Sequence, residues 1–434
     1  MRMAFAALSL ALFGISIAYA DDLSGTWTGY WVKDHDPLPV TVTLDASGSG
    51  FTGHFDSDAI QVAGIPCSVV REDGDKIHLE VKGDQTTTTF DGVLAGGAIK
   101  GTFTEGTKRG AFILNRAATP PPAVATRDVT FTDGDAKLAG TLLLPSTPGK
   151  HPAILFLQGS GPEGRWANHW LAQKFAQAGF VALIYDKRGV GQSTGDWKIA
   201  GFDTLAADAV AGIRMLQSQP EVDPKRVGIY GHSQGGTIAP MVAAKAGDLG
   251  FVIASAAGGI APADVELYSV ENSAGVSKLP TDQQIAAKAY IEALIGVAYR
   301  GEDRATLDAL AEADKSQPWY FDPPPPGNFY WALSRQIAGF NPSRWWRQVH
   351  APVLLVYGAH DERVPPKTDL TAIRSALKAG HNEHFMSIVF PGSNHIFTVV
   401  DPAKTTGWPK REPSYAATLI DWARQQVRPQ PPNL

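Results

Sequence analysis

The chain has 434 residues, which is too long for one average domain and enough for two or three. Hydrophobic residues make up 44% of it and charged residues 19%, a balance typical of soluble globular proteins. The formal net charge of −5 is modest, and the sequence contains no basic run. This distribution of charge argues against a nucleic-acid partner.

The first twenty residues have the organisation of a secretory signal peptide. A basic start at Arg2 is followed by an apolar run over residues 4–17 and by small residues up to Ala20. The run is short for a membrane span and no stop-transfer flank follows it. We therefore predict a signal peptide over 1–20, export to the periplasm or medium, and no membrane span. The single cysteine, Cys67, excludes an internal disulfide and is expected to be a small buried apolar residue.

A small all-β domain is predicted over residues 21–116. Short segments of alternating apolar residues, such as 40–44 and 76–81, are separated by turn signals, as in a small antiparallel sandwich or barrel. The region contains no cluster of catalytic residue types. We expect a packing or oligomerisation domain, and the alternative is a module that binds carbohydrate or another ligand. A proline-rich linker follows at 117–126.

A catalytic domain with a parallel sheet is predicted over residues 127–434. The segments 129–131 and 138–144 are expected to open it as an antiparallel pair. Continuous apolar runs separated by helical patterns then indicate buried parallel strands with helices on both faces. These runs are 153–157, 181–185, 227–230, 251–255, 352–357 and 386–390. The spacing breaks between about 259 and 348, where a helical, aromatic-rich insertion is expected to form a cap.

The stretch 231–235 fits the pattern G-x-S-x-G in a context that gives the pattern physical meaning. An apolar strand precedes it and a helix of small residues is predicted after it, at 236–245. A strand that turns sharply into a helix leaves the serine in strained backbone geometry with its hydroxyl exposed. We therefore expect Ser233 to be a nucleophile. The alternative is a Ser-Gly turn that does no chemistry.

A serine nucleophile needs a histidine base that a carboxylate holds in place. In sheets of this type the order along the chain is serine, acid, histidine. Asp361 follows the 352–357 strand and is predicted to be the acid, with Glu362 as the alternative. His395 follows the last strand and is predicted to be the general base and later the general acid.

The other histidines near these loops are expected to have different roles. His381 and His384 precede the last strand, so they should lie at the opposite end of the sheet. His360 is interpreted as a loop residue beside the acid. His232 lies inside the serine turn and is expected to shape it.

An oxyanion formed at Ser233 requires two backbone donors. The amide of Gln234 follows the nucleophile directly and is predicted to be the first. The second is predicted in the loop 158–162, where we choose the amide of Ser160, with Gly161 as the alternative.

The motifs at 157–162, 185–193 and 231–235, together with the predicted triad, resemble the α/β-hydrolase superfamily. They are similar to a bacterial carboxylesterase group that carries an extra N-terminal domain. The resemblance covers about 127–427. It implies an α/β-hydrolase fold with a helical cap insertion, and a serine esterase that needs neither metal nor cofactor and acts mainly on short acyl chains.

The resemblance also bears on four charged or aromatic residues. Asp186 and Arg188 match the motif of the group and are expected to be structural. Arg165 and Trp166 follow the predicted oxyanion loop and are candidates for lining a pocket. No substrate-binding residue or oligomeric state is assigned from the sequence.

The function predicted from these residues is hydrolysis of small-molecule carboxylic esters through an acyl-enzyme on Ser233. A serine peptidase or aminopeptidase, or a thioesterase, would use the same triad. A non-catalytic binding protein on an inactive hydrolase scaffold is the alternative from a different class.

Overall fold

The structure is a computed structural model, and it describes residues 23–48, 50–82, 87–118, 124–400 and 407–428. The predicted signal peptide lies outside the described residues, and so do residues 119–123 of the predicted linker. Within the described ranges, no helix has the length and apolar character that crossing a membrane requires.

The first eight strands form a closed antiparallel barrel. They are β1 (Gly25–Lys33), β2 (Asp36–Ser47), β3 (Gly50–Ser57), β4 (Val62–Asp73), β5 (Lys76–Lys82), β6 (Thr87–Ala95), β7 (Ala98–Glu105) and β8 (Lys108–Arg116). Each strand pairs with its neighbour in the chain, and β8 returns to pair with β1. The predicted all-β domain is confirmed, and of the two predicted architectures it is the barrel.

Alternation along the strands fills the barrel with side chains. On β2, Val40, Val42 and Leu44 are buried, whereas the residues between them are partly exposed. Trp27 on β1 is fully buried in the same core. Cys67 is half-buried against this core, and burial raises the pKa of its thiol to about 11. The thiol therefore stays protonated near neutral pH.

The second sheet has eight strands in the spatial order β16-β15-β14-β13-β11-β12-β10-β9. They are β9 (Ala125–Asp133), β10 (Ala136–Leu144), β11 (His151–Leu157), β12 (Val181–Tyr185), β13 (Val222–His232), β14 (Phe251–Ser255), β15 (Val353–Gly358) and β16 (Phe385–Phe390). Strands β9 and β10 pair antiparallel at one edge, and β11 to β16 run parallel. The loops after the parallel strands therefore meet at one edge of the sheet.

Helices cover both faces of this sheet. Helices α1 (His169–Gln177) and α10 (Tyr415–Gln426) pack on one face, with Phe175 and Leu419 buried. The other face carries α2 (Phe202–Gln217), α3 (Gln234–Ala246) and α9 (Pro366–Ala379). The mostly parallel sheet with two helical layers is thus confirmed.

The predicted cap insertion contains five α-helices. They are α4 (Pro262–Ser273), α5 (Thr281–Ile295), α6 (Arg304–Asp314), α7 (Phe329–Ile337) and α8 (Pro342–Trp346). Tyr290, Trp319 and Trp331 are buried together in a hydrophobic core of the cap itself. These aromatic side chains hold the cap helices together, while Trp346 belongs to the core under the sheet.

A buried carboxylate fixes the point where the chain leaves β14 for the cap. Asp369 on α9 is fully buried, and its Oδ1 accepts hydrogen bonds from the amides of Gly259 (2.8 Å) and Ile260 (3.0 Å). Its Oδ2 is buried and has no hydrogen-bond partner among the described residues. Burial raises the pKa of Asp369 to about 7, although the two amides oppose the shift.

Replacing Asp369 by asparagine should change how stability depends on pH. The folded-state pKa lies above the ordinary value of 3.8, so the folded protein binds the extra proton and wild type loses stability as the pH rises to about 7. Asparagine does not titrate. We therefore expect the melting temperature of Asp369→Asn minus that of wild type to be higher at pH 8 than at pH 5. Exposed Asp264→Asn is the control, and an equal difference at both pH values for Asp369→Asn would contradict the assignment.

Candidate active site

Ser233 lies on a sharp turn between β13 and α3. Its φ of 54° and ψ of −117° fall outside the conformations that a residue with a side chain ordinarily adopts. Glycine is required on both sides. A Cβ at Gly231 would collide with the carbonyl of Gly235, and a Cβ at Gly235 would lie 2.8 Å from the carbonyl oxygens of Leu157 and Gln158. The predicted strand–turn–helix context of the serine is therefore present.

The structure brings the three predicted triad residues together. His395 Nε2 lies 3.0 Å from Ser233 Oγ, and His395 Nδ1 lies 3.0 and 2.9 Å from the two carboxylate oxygens of Asp361. The amides of Arg363 and Val364 donate to Asp361 Oδ1 at 2.8 and 2.9 Å. These partners favour the tautomer in which Nδ1–H donates to Asp361 and Nε2 accepts from Ser233.

The competing acid and histidines occupy other positions. Glu362 accepts a bond from the backbone amide of His395 (3.3 Å) and does not face the ring nitrogen. The carbonyl of His384 accepts from the amide of Val353, the first residue of β15, so His384 lies at the opposite end of the sheet. His360 is exposed, and its amide donates to the Ser393 carbonyl.

The ring of His232 packs beside that of His395. Its ring centroid is 5.0 Å from that of His395, and its Nδ1 is 3.4 Å from Ser255 Oγ. Burial lowers the pKa of His232 well below its ordinary value, and the nearby His395 and Arg411 add to the effect. An uncharged imidazole at this position fits the expectation that His232 shapes the turn.

The two predicted oxyanion elements lie against each other. Gly235 in the first turn of α3 packs on the carbonyl of Gln158, at the start of the loop that carries Ser160. The side chain of Gln158 donates to the Tyr185 carbonyl, which ties this loop to β12. The donor roles of Gln234 and Ser160 remain predictions.

A buried lysine joins the two elements. Lys187 is 3% exposed, and its ammonium donates to the carbonyls of Gly159 and Gly161 (2.8 Å to the latter) and to Gln234 Oε1 (3.3 Å). In a trans peptide the C=O and N–H point in opposite directions. Because the Gly159 carbonyl points at Lys187, the N–H of Ser160 in the same peptide points away from it.

The charge of Lys187 is sensitive to pH. Burial lowers its pKa to about 8, and the attraction of Glu163 partly opposes the shift. The Glu163 carboxylate also accepts from the amide of Gly159 at 2.6 Å. Sequence reasoning passed over Lys187, although its place directly after β12, beside the β11 loop, could have drawn attention to it.

The residues on either side of Lys187 are structural, as expected. Arg165 donates to both carboxylate oxygens of Asp186, at 3.2 and 2.8 Å. Burial disfavours the charged form of Asp186, but these bonds outweigh it and lower the pKa of the carboxyl. Arg188 forms a matching pair with Asp208. The Arg165 guanidinium is therefore bound to Asp186 and is not available to line a pocket.

Two further side chains lie near these loops. Tyr268 on cap helix α4 donates its hydroxyl to the Asp361 carbonyl at 2.8 Å, a contact between cap and acid loop that no periodic pattern indicates. Trp166 is 46% exposed and its ring packs at a tilt against that of His169, with ring centroids 5.3 Å apart. Among the described residues, no group of three or more His, Cys, Asp or Glu side chains is arranged to hold a metal ion.

The order of these groups defines the fold class. A nucleophile turn after β13, an acid loop after β15 and a histidine loop after β16 in a mostly parallel sheet form the α/β-hydrolase fold. The fold predicted from the sequence is confirmed.

Comparison with known proteins gives the family. The model of the X-Pro dipeptidyl-peptidase (S15) family matches residues 133–393, which is more than half of the chain. The chain belongs to this family.

Individual relatives are more distant. The quorum-quenching protein AidA of Acinetobacter baumannii is 32% identical over 26% of this chain and 37% of its own length. Esterase EstD of Thermotoga maritima is 23% identical over 64% of this chain and 61% of EstD. The chain thus spans less than two thirds of both relatives. The solved structure of the Pyrococcus furiosus esterase Pf2001 aligns with 72% of this chain and 96% of its own, at 17% identity and a TM-score of 0.46.

Removing the Lys187 ammonium should slow the reaction of Ser233 with a fluorophosphonate probe. In Lys187→Met the Gly159 and Gly161 carbonyls lose their donor, so the Gly159–Ser160 peptide is no longer held in the orientation that presents the Ser160 amide to the oxyanion. Loss of one oxyanion contact costs about 10²- to 10³-fold in rate. The wild-type rate should fall between pH 7 and 9 as Lys187 loses its proton near 8, and the variant should lack that fall. Lys245→Met, which removes a half-exposed ion pair with Asp203, is the control. Equal rates and pH profiles for wild type and Lys187→Met would show that Lys187 does not orient the loop that carries Ser160.

Proposed function

We propose that this chain is a serine carboxylesterase that cleaves small esters with short acyl chains. The observation that supports it best is the 3.0 Å approach of His395 Nε2 to Ser233 Oγ, with Asp361 behind the imidazole. This arrangement activates a hydroxyl that is otherwise a weak nucleophile. Membership of a hydrolase family agrees with the proposal.

The reaction proceeds in two halves. Ser233 Oγ attacks the ester carbonyl while His395 Nε2 takes its proton, and Asp361 stabilises the imidazolium that forms. His395 then gives the proton to the leaving alkoxide, so that the alcohol departs and an acyl-enzyme remains. Water enters, gives a proton to His395 and attacks the acyl carbon. The proton returns to Ser233 as the acid is released.

The developing oxyanion is assigned to the amides of Gln234 and Ser160. Gln234 is the first residue of α3, so its amide belongs to the positive end of a helix dipole. The orientation of the Gly159–Ser160 peptide by Lys187 supports the choice of Ser160.

Peptide cleavage is the second candidate function. The matching family is described by its X-Pro dipeptidyl-peptidase activity, and the same triad can open an amide. A thioesterase would also share the triad. Comparing p-nitrophenyl butyrate, a butyryl thioester and an Xaa-Pro p-nitroanilide at equal concentration separates the three candidates. We expect the oxygen ester to give the highest kcat/KM.

We also propose that the chain is exported, periplasmic or secreted, because residues 1–20 have the charge and apolar pattern of a signal peptide. Cleavage after Ala20 predicts a mature chain that begins at Asp21. An intact mass that retains residues 1–20 in the recovered protein would contradict this.

Hydrolysis of p-nitrophenyl butyrate should depend on Ser233. We expect Ser233→Ala to lower kcat by on the order of 10⁴- to 10⁶-fold, because triad members act as a unit. The exposed Ser218→Ala serves as the matched control and should retain wild-type kcat. Wild-type activity should be higher on acetate and butyrate esters than on the dodecanoate. Equal rates for Ser233→Ala and wild type would favour a non-catalytic binding protein, and a rate that rises steadily with chain length would favour a lipase.

A further inference from the structure

One tryptophan joins the loop that carries His395 to the N-terminal barrel. Trp408 lies in the segment 407–412, which returns alongside that loop, and its indole packs at one end of the barrel. Its ring centroid is 6.3 Å from that of Trp31 and 5.9 Å from that of Phe103. The Lys33 ammonium lies 4.7 Å from the centre of the same ring. A side chain of the catalytic domain therefore extends the aromatic core of the barrel.

Hydrogen bonds make this contact specific. Trp408 Nε1 donates to the Trp31 carbonyl (3.2 Å), and the Trp408 amide donates to Asp36 Oδ2 (3.3 Å). The amide of Gly407 donates to Asp34 Oδ2 (3.3 Å). Gly407 has a φ of +93°, and a Cβ there would lie 2.8 Å from Asp36 Oδ2. Glycine is thus needed for the backbone to approach the barrel this closely.

Backbone pairing carries the contact from Trp408 to the histidine loop. The amide of Val399 donates to the Lys410 carbonyl (2.6 Å), and the amide of Glu412 donates to the Phe397 carbonyl (2.8 Å). Both bonds hold the chain just after His395, which lies two residues before Phe397. Displacement of the 407–412 segment would therefore remove one support of the turn that carries His395.

Phe397 is also held by a side chain of α10. Phe397 has a φ of 58°, and its ring stacks on Tyr415 with centroids 4.2 Å apart. The Tyr415 hydroxyl lies 2.9 Å from the Tyr230 hydroxyl and 2.7 Å from Ser255 Oγ. A non-glycine residue at positive φ is strained, so it persists only where its surroundings hold it.

The remaining contact between barrel and catalytic domain is discontinuous. Clefts of about 940 and 1220 Å³ are lined by residues of both. A second point of contact lies at α1, where Asp58 accepts from Trp170 Nε1 (2.7 Å) and pairs with Lys174 (2.7 Å). Gln61, at the end of the same turn, donates its side chain to the Glu412 carbonyl (2.9 Å), so the barrel also contacts the 407–412 segment there. The Asp58 carboxylate bonds to α1 and not to that segment, so Asp58 provides a control for any effect of loosening the barrel.

We propose that the barrel is a positioning domain that, through Trp408, holds the His395 loop where Nε2 faces Ser233 Oγ. Trp408 is a positioning residue in this account and touches no reacting atom. The inference rests on the proposed function, because it takes His395 as the base. It assigns the barrel a role in catalysis that does not require the barrel to bind a ligand.

The test compares Trp408→Ala, Trp408→Phe and Asp58→Asn in the full-length protein. We expect Trp408→Ala to lower kcat for p-nitrophenyl butyrate, and the rate of fluorophosphonate labelling at Ser233, by about 10- to 100-fold, as for a misplacement near 1 Å. KM should change by less than about two-fold, because substrate contacts remain. Trp408→Phe keeps the ring packing and should restore most of the rate. Asp58→Asn should label like wild type.

Several outcomes would overturn the proposal. Labelling of folded Trp408→Ala at the wild-type rate would do so. Equal losses of labelling rate in Trp408→Ala and Asp58→Asn, in step with the falls in their melting temperatures, would also do so. If Trp408→Ala does not fold, Asp36→Asn, which weakens the bond to the Trp408 amide, is judged by the same criterion. A wild-type protein that labels at Ser233 but hydrolyses no ester would refute the esterase proposal alone. A wild-type protein that does not label at Ser233 would refute both.

Discussion

The backbone of Ser233, with a φ of 54° and a ψ of −117°, is the constraint from which the rest of the site follows. This conformation ends β13 and starts α3 within one residue, so the hydroxyl stands at the carboxyl edge of the sheet. It also puts the Gln234 amide at the start of a helix, where the dipole favours a negative charge. Such a conformation costs about 1–3 kcal/mol and persists only where its surroundings hold it, and here the backbone packs so closely at Gly231 and Gly235 that a Cβ would clash at either position.

Around that turn, three consecutive charged residues point in three directions and fix three parts of the structure. Asp186 binds Arg165, Arg188 binds Asp208, and Lys187 between them reaches the predicted oxyanion loop. Buried ion pairs contribute little net stability, because desolvation offsets their attraction. We infer that this sequence motif serves geometry more than stability, since it ties β12, α2 and the loop after β11 to one another.

Local signals made much of the fold and site predictable. The apolar run at 251–255 coincides with β14, and the helix of small residues predicted at 236–245 lies within α3, Gln234–Ala246. Ser233, Asp361 and His395 could be proposed because each follows a recognisable strand, and loops after parallel strands converge. The choice of Asp361 over Glu362 depends on which carboxylate turns toward the His395 ring. The position of Asp361 after its strand led to the prediction, and Asp361 is the residue at hydrogen-bond distance from the ring.

Contacts between distant parts of the chain were not predictable in this way. Alternation alone did not distinguish a sandwich from a closed barrel, because closure depends on the pairing of β1 with β8. Trp408 bonds to Trp31 across 377 positions, and a lone tryptophan after the last strand carries no periodic signal. The boundary between the domains was also shifted, since β9 begins at Ala125, inside the predicted linker 117–126.

Covalent labelling is the most direct test of whether His395 activates Ser233. Wild type and His395→Ala are treated with a fluorophosphonate, and the modified peptide is identified by mass spectrometry. We expect a single rapid adduct on Ser233 in wild type and a loss of labelling rate of several orders of magnitude in the variant. An adduct on another residue, or equal labelling of Ser233 in both proteins, would contradict it.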